Sequence, residues 1–294
     1  MSTNAIIPTR NLDINRVSFV IGKAQPGRNP SISIKYDGQN ISIRLPRLKF
    51  PGGVLTRVDD KTGAMSYSMF GSLSGCDAYG KDRASDSDDM GRLYNFLLDL
   101  EEKIIQSAVE NSSKWFGKKR SEEAIRDGFK HLMRLSVDKT DGEYVPNGKY
   151  PPSMTLKVPV YDNRVNVDIV DGKGNPVYVT PASLTTVFAK GIEANIAASA
   201  SIYVMAGGGF GVTWRITHAQ VLQQARVTAA SVFSDTIEAG DDDEAPVTES
   251  QAAPEVPVTS VQIDVEIPDL DDEQEAPAPP PAPAARKRRA VPSA

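Results

Sequence analysis

The chain of 294 residues holds one cysteine, Cys76, and two histidines, His131 and His218. One cysteine excludes an intrachain disulfide, and so few Cys and His ligands speak against a zinc ribbon or finger. No apolar run approaches the ~18 residues that a membrane helix needs. The first residues, MSTNAIIPTRNLDINR, lack the apolar stretch of a secretory signal. These absences predict a protein of a reducing compartment that is neither secreted nor embedded in a membrane. No aromatic residue follows Phe233, and ten of the 21 prolines lie beyond residue 235.

The net charge of −5 conceals a division. Residues 235–294 carry 15 acidic and 4 basic side chains, whereas residues 1–234 carry 23 acidic and 29 basic ones. A mildly basic body is joined to a strongly acidic, proline-rich tail. Such a tail cannot bury enough apolar area to offset its ordering entropy, so disorder is expected over 235–294. It closes on Arg286, Lys287, Arg288 and Arg289, a cluster that reads as a nuclear-import signal, as an electrostatic anchor or as a plain solvated charge run. The expected organisation is an N-terminal arm over 1–16, a folded domain over 17–234 with a helical insertion near 89–135, and the tail.

Within the body, alternation dominates. Residues 17–21 (VSFVI), 31–36 (SISIKY), 41–45 (ISIRL) and 64–70 (AMSYSMF) read as strands, with Asp37-Gly38 as a hairpin turn. Ile32, Ile34 and Tyr36 share one face; Ile41, Ile43 and Leu45 share another. Residues 74–88 read as a loop. Leu93, Phe96, Leu97, Leu100, Ile104 and Ala108 recur at helical spacing, with Asp88 and Asp89 at the start and Asn111 to Ser113 at the end. A second helix is predicted over about 121–135, capped by Ser121 and burying Ile125, Phe129, Leu132 and Met133. Alternation resumes at Met154 to Val160 and at 164–170, and a long hairpin joins 192–205 to 212–222 through AGGGFG. About eight strands with two helices inserted midway suggest a small β-barrel.

No catalytic constellation emerges. The glycines at 207–209 precede a strand rather than a helix, so they read as a hairpin turn and not as a phosphate loop. DSDD at 86–89 lacks the glycine and distal glutamate of a calcium loop and reads as a helix cap. His131 and His218 read as structural, and Trp214 shares its parity with Phe210, Val212 and Ile216 and reads as core. No cofactor is implied.

Positive charges lie beside aromatic rings repeatedly. The candidate nucleic-acid contacts are Lys35, Arg44, Lys49, Trp115, Lys118, Lys119, Arg120, Lys157, Tyr161, Arg164, Tyr203 and Arg215. Cations neutralise phosphates while ring faces stack on bases, a combination suited to single strands of any sequence. Tyr203, Lys157, Tyr161 and Arg215 have the outward parity a groove demands. Trp115 and Phe116 have a second reading, as a staple between helix and barrel, and 118–120 as a solvated loop. A flexible polyanion tethered to a cationic groove competes with nucleic acid for it.

The stretch KYPPSMTLKVPVYDNRVNVDIVD and the block KGIEANIAASASIYVMAGGGFGVTWRITHAQV resemble the C-terminal half of a family of single-stranded-DNA-binding-like proteins of nucleocytoplasmic large DNA viruses. ISIKYDGQNISIRLPRLKFPGGV and NSSKWFGKK are similar to its N-terminal half. That family resembles the short-tailed coliphage type of single-stranded-DNA-binding protein. The resemblance covers roughly residues 17–222. It implies an OB-fold, a non-enzymatic role with single-stranded DNA in replication or recombination, an acidic tail that meets replication proteins, and residence in a viral factory or host nucleus. A homo-oligomer is compatible with it. The phage-type tail ends in acidic residues and an aromatic, whereas this chain ends RKRRAVPSA. A virion or structural interaction protein and an RNA-binding module are the rival readings.

Overall fold

The computed structural model describes residues 5–22, 30–140, 142–205 and 207–222. The acidic tail and its basic cluster, Arg286 to Arg289, lie outside the described residues. Five strands close a barrel: β1 (Leu48–Phe50), β2 (Met65–Ser72), β3 (Ser153–Val158), β4 (Ile192–Val204) and β5 (Phe210–Leu222). Their order round the barrel is β1-β2-β3-β5-β4 and back to β1. The β3–β5 contact is parallel and the other four are antiparallel. This is a mostly β, OB-fold-like barrel, as the sequence led us to expect.

The closure follows from alternation. Tyr67 and Met69 of β2, Met154, Leu156 and Val158 of β3, Trp214 and Ile216 of β5, and Ala194, Ile196 and Ala198 of β4 are all buried. Most of their neighbours in sequence are less buried, Ala197 at the register shift and Thr213 being the exceptions. β4 and β5 run 13 residues each and form the longest ladder. A register shift at Ala197/Ala198 bends β4, which lets one strand serve the barrel and an outer sheet. That outer sheet contains Ile32–Tyr36 and Ser42–Arg44, both paired with β4. Asp37 and Gly38 both have positive φ, the turn that the Asp-Gly pair specifies. Ile7–Pro8 runs parallel to Ile43–Arg44, so this part of the N-terminal arm lies on the same sheet.

Between β2 and β3 the chain forms α1 (Asp89–Glu110), α2 (Ser112–Phe116) and α3 (Glu122–Gly128). The Asp88 carboxylate accepts the Gly91 N–H at 2.7 Å, so the acidic run at 86–89 starts a helix. Replacing Asp88 by alanine is expected to lower stability by about 1 kcal/mol, readable in a denaturant melt. The apolar stripe of α1 is buried as its spacing predicts.

α3 differs from its expectation over 121–135. It ends at Gly128, and the next residues are extended. The Lys130 N–H donates to the Phe210 carbonyl at 2.8 Å, and Met133–Arg134 pairs with Ser153–Met154 of β3. Phe129, Leu132 and Met133 are buried as expected, but from extended backbone whose polar groups the barrel satisfies. The helical spacing at 129–133 coincides with a path that enters the core by a different geometry.

Candidate nucleic-acid interface

The outward residues of β2, β3, β5 and β4 form one polar surface. Register places Ser68 beside Lys157, Lys157 beside Arg215, and Arg215 beside Ser199. Thr213 stands opposite Ser201 in the ladder but is buried. The Arg215 guanidinium donates to the Ser201 hydroxyl at 2.9 Å, a neutral partner. Just beyond β3, Asp162 and Asn163 turn the chain through positive φ, and Tyr161 pairs with Arg164 across that turn. The tight turn lifts Tyr161 into solvent, where it is 57% exposed. Lys157, Tyr161 and Arg215 line a single cleft of about 130 Å³ together with Met65, Ser66 and Tyr67. Among the described residues no acidic side chain lines this cleft. Four of the candidates from sequence therefore converge: Lys157, Tyr161 and Arg215 in the cleft and Arg164 across the adjoining turn.

The remaining candidates are distributed elsewhere. Arg44 is exposed on the outer sheet, opposite Ala197 of β4. Lys49 is exposed on β1 but lies opposite Glu193, a carboxylate that also pairs with Arg47 at 2.6 Å. Lys35 is half-buried between Ser18 and Asn40. Tyr203 is half-buried, with its ring so close to Gly211 that a side chain there would meet its hydroxyl.

Trp115 requires a correction. It is fully buried, packed edge-on against Phe19 and Phe210 at 6.0 and 6.2 Å, so it offers no face to a base. With Phe116 and Phe129 it fastens the insertion to the start of β5. Its staple reading is the correct one. Arg120 also has a structural task. Its guanidinium lies over Phe116 at 5.1 Å and reaches the Gly207 carbonyl at 3.4 Å. Lys118 and Lys119 are exposed in the loop between α2 and α3.

Gly208, at φ 93°, sits against that guanidinium with no room for a methyl group. The glycine run at 207–209 is thus the turn between β4 and β5, shaped by Arg120. Gly208→Ala is expected to destabilise the protein by roughly 2 kcal/mol through the strained φ and the displaced arginine, measurable by thermal melting.

Two residues that sequence reasoning passed over belong to the same outer surface. Arg134 lies over the ring of Phe70 at 4.5 Å. Phe70 alternates with the buried Tyr67 and Met69, which is a legible outward signal, but assigning Arg134 to a helix hid the pairing. The histidines are more exposed than expected. His131 projects into solvent and pairs with Glu101 at 2.6 Å, and that hydrogen bond raises its pKa. His218 faces out beside Asp168 at 3.6 Å. Burial pushes the Cys76 thiol up to about 11, which makes it a poor nucleophile. Among the described residues no group of three or more His, Cys, Asp or Glu side chains is placed to hold a metal ion, and no helix is long and apolar enough to cross a membrane.

No protein-family model matches the chain, and no curated protein matches it significantly. Among solved structures it is similar to gp2.5, a single-stranded DNA binding protein encoded by bacteriophage T7, at 12% identity and a TM-score of 0.39, covering 69% of this chain and 98% of that one. It is also similar to a C-terminal truncation of the single-stranded DNA-binding protein from bacteriophage Enc34, at 9% identity and a TM-score of 0.34, covering 70% of this chain and 95% of that one. Both are phage proteins; neither comes from a nucleocytoplasmic large DNA virus.

Proposed function

We propose that this chain binds single-stranded DNA without regard to sequence, along the outward surface of β2, β3 and β5. The observation that carries this reading is the convergence of Lys157, Tyr161 and Arg215 on one cleft, with Arg164 across the adjoining turn. Two cations separated by one strand spacing suit successive phosphates. An exposed ring on a stiff turn suits a base, at about 1–3 kcal/mol per stack. The hydroxyls of Ser66, Ser68 and Ser201 add neutral donors. Stacking needs only a π-face, so the site tolerates every base. On OB-folds the face of the second and third strands is a regular nucleic-acid surface, and this cleft lies there.

The wider role follows from the charge division. A protein that covers unpaired strands serves DNA replication and recombination, and the acidic tail adds control. Tethered at high effective concentration, the tail competes for the cationic face and, once displaced by DNA, is free to meet basic replication partners. The basic cluster at 286–289 fits entry into a nucleus, and a viral factory is the other setting this role suits.

The experiment is a salt series of oligo-dT, duplex and RNA titrations. It compares the full chain with one ending at Ser234, which keeps every core residue from Val17 to Val221. The shorter chain is expected to bind oligo-dT several-fold more tightly at low salt, with the difference vanishing as salt rises. Equal affinity at low salt would remove the competing tail. Failure of both chains to bind any single strand would favour the structural-protein reading, and preference for RNA over oligo-dT would favour the RNA-binding one.

A further inference from the structure

We infer that Arg134, lying on the ring of Phe70, is a second anchor for the bound strand, supplied by the exit of the helical insertion; this rests on the single-strand reading above. Three outward residues of β3 set the geometry. Arg134 stands opposite Ser153, Phe70 opposite Thr155, and both Ser68 and Arg215 beside Lys157. Alternate residues on a strand are about 6.6 Å apart. Arg134 therefore lies about 13 Å along β3 from Lys157, with the Phe70 ring between, and Tyr161 lies at the other end. The surface presents cation, ring, cation pair and ring in sequence along one strand. That spacing suits several consecutive nucleotides rather than one.

Arg134 is distinguished from the arginines that hold the structure together. Arg83 is paired with Asp99, Arg126 with Glu102 and Glu122, and Arg16 with Asp37. No carboxylate is paired with Arg134 among the described residues, and the side chain is half-buried. Its burial disfavours the charged form. A partly dehydrated guanidinium lying on an aromatic ring gains more from an arriving anion than a wetter one does. Its planar donors match the oxygens of a backbone phosphate. The ring beneath holds the guanidinium in place through a cation–π contact at 4.5 Å.

The test uses the full chain and oligo-dT at several salt concentrations. Arg134→Ala is expected to bind about tenfold more weakly, with a log–log salt slope shallower by about 0.7, the share of one phosphate on a single strand. Arg134→Lys is expected to restore the slope while recovering only part of the affinity, because a point charge replaces a planar fork. Phe70→Leu is expected to weaken binding with the slope unchanged. Melting temperatures certify that each variant is folded, and if Arg134→Ala does not fold, the lysine and leucine variants decide by the same readings. If the Arg134 and Phe70 variants titrate like the wild type while Lys157→Ala binds more weakly, the second anchor is wrong and the cleft stands. If the wild type itself does not bind, the single-strand reading fails first.

Discussion

Alanine at both Tyr161 and Arg215 is expected to weaken oligo-dT binding by roughly a hundredfold. A base stacked on a ring contributes about 1–3 kcal/mol, and a charge-assisted contact from an arginine roughly 1.5–3 kcal/mol. Each 1.4 kcal/mol is about a factor of ten. The salt slope should become shallower by about 0.7, because one cation is lost. Stability should hardly change. Both side chains project into solvent, and Arg215 donates to the neutral hydroxyl of Ser201. Surface substitutions of this kind stay within about 0.5 kcal/mol. An unchanged titration with an unchanged melt would reject the cleft as the site.

Trp115→Ala should do the reverse. Removing a fully buried indole costs about 3–5 kcal/mol. For a body of this size that corresponds to a melting temperature lower by roughly 10 °C. The reason is specific. Beyond its helix neighbour Phe116, Trp115 touches Phe19 and Phe210, two separate stretches of chain, so its loss loosens the insertion from the Val17–Ile21 strand and from β5 together. The protein that remains folded is expected to bind oligo-dT as the wild type does. Loss of affinity without loss of stability would return Trp115 to the binding surface and contradict its burial.

The contrast between the pair Tyr161 and Arg215 and the buried Trp115 explains what the sequence disclosed. Where a strand is flat and one face is core, parity alone separates inward from outward residues. That is why Trp214 reads as core and Lys157 and Arg215 as surface. Tyr161 was legible for the same reason, since it follows β3 in phase. Parity gave no answer for Trp115, which sits on a five-residue helix whose direction is set by what it packs against. The fate of 129–135 was hidden by a coincidence. Phe129, Leu132 and Met133 have helical spacing, yet the barrel offers backbone partners to an extended chain there, and tertiary pairing overrode local pattern. That same override placed Arg134 on Phe70. Lys49 shows a third limit. Charge beside an aromatic is visible in sequence, but the carboxylate that stands opposite it, Glu193, comes from 144 positions further along.

The barrel and the cleft also divide the labour among the glycines and charges of the β4–β5 turn. Arg120 looked like a contact because it closes a basic run. In the fold it is spent on Phe116 and the Gly207 carbonyl, and it holds the turn rather than a ligand. Arg215, whose guanidinium donates to the Ser201 hydroxyl, and Arg134, which lies over the Phe70 ring, have neutral partners of this kind.

The most direct measurement of where a strand lies is ultraviolet cross-linking of oligo-dT to the unmodified full chain, mapped by mass spectrometry. Cross-links at Tyr161, on the peptide that also carries Lys157 and Arg164, are the expected result, and they should diminish as salt is raised. Cross-links confined to peptides remote from β2, β3 and β5, with none at Tyr161, would contradict the account.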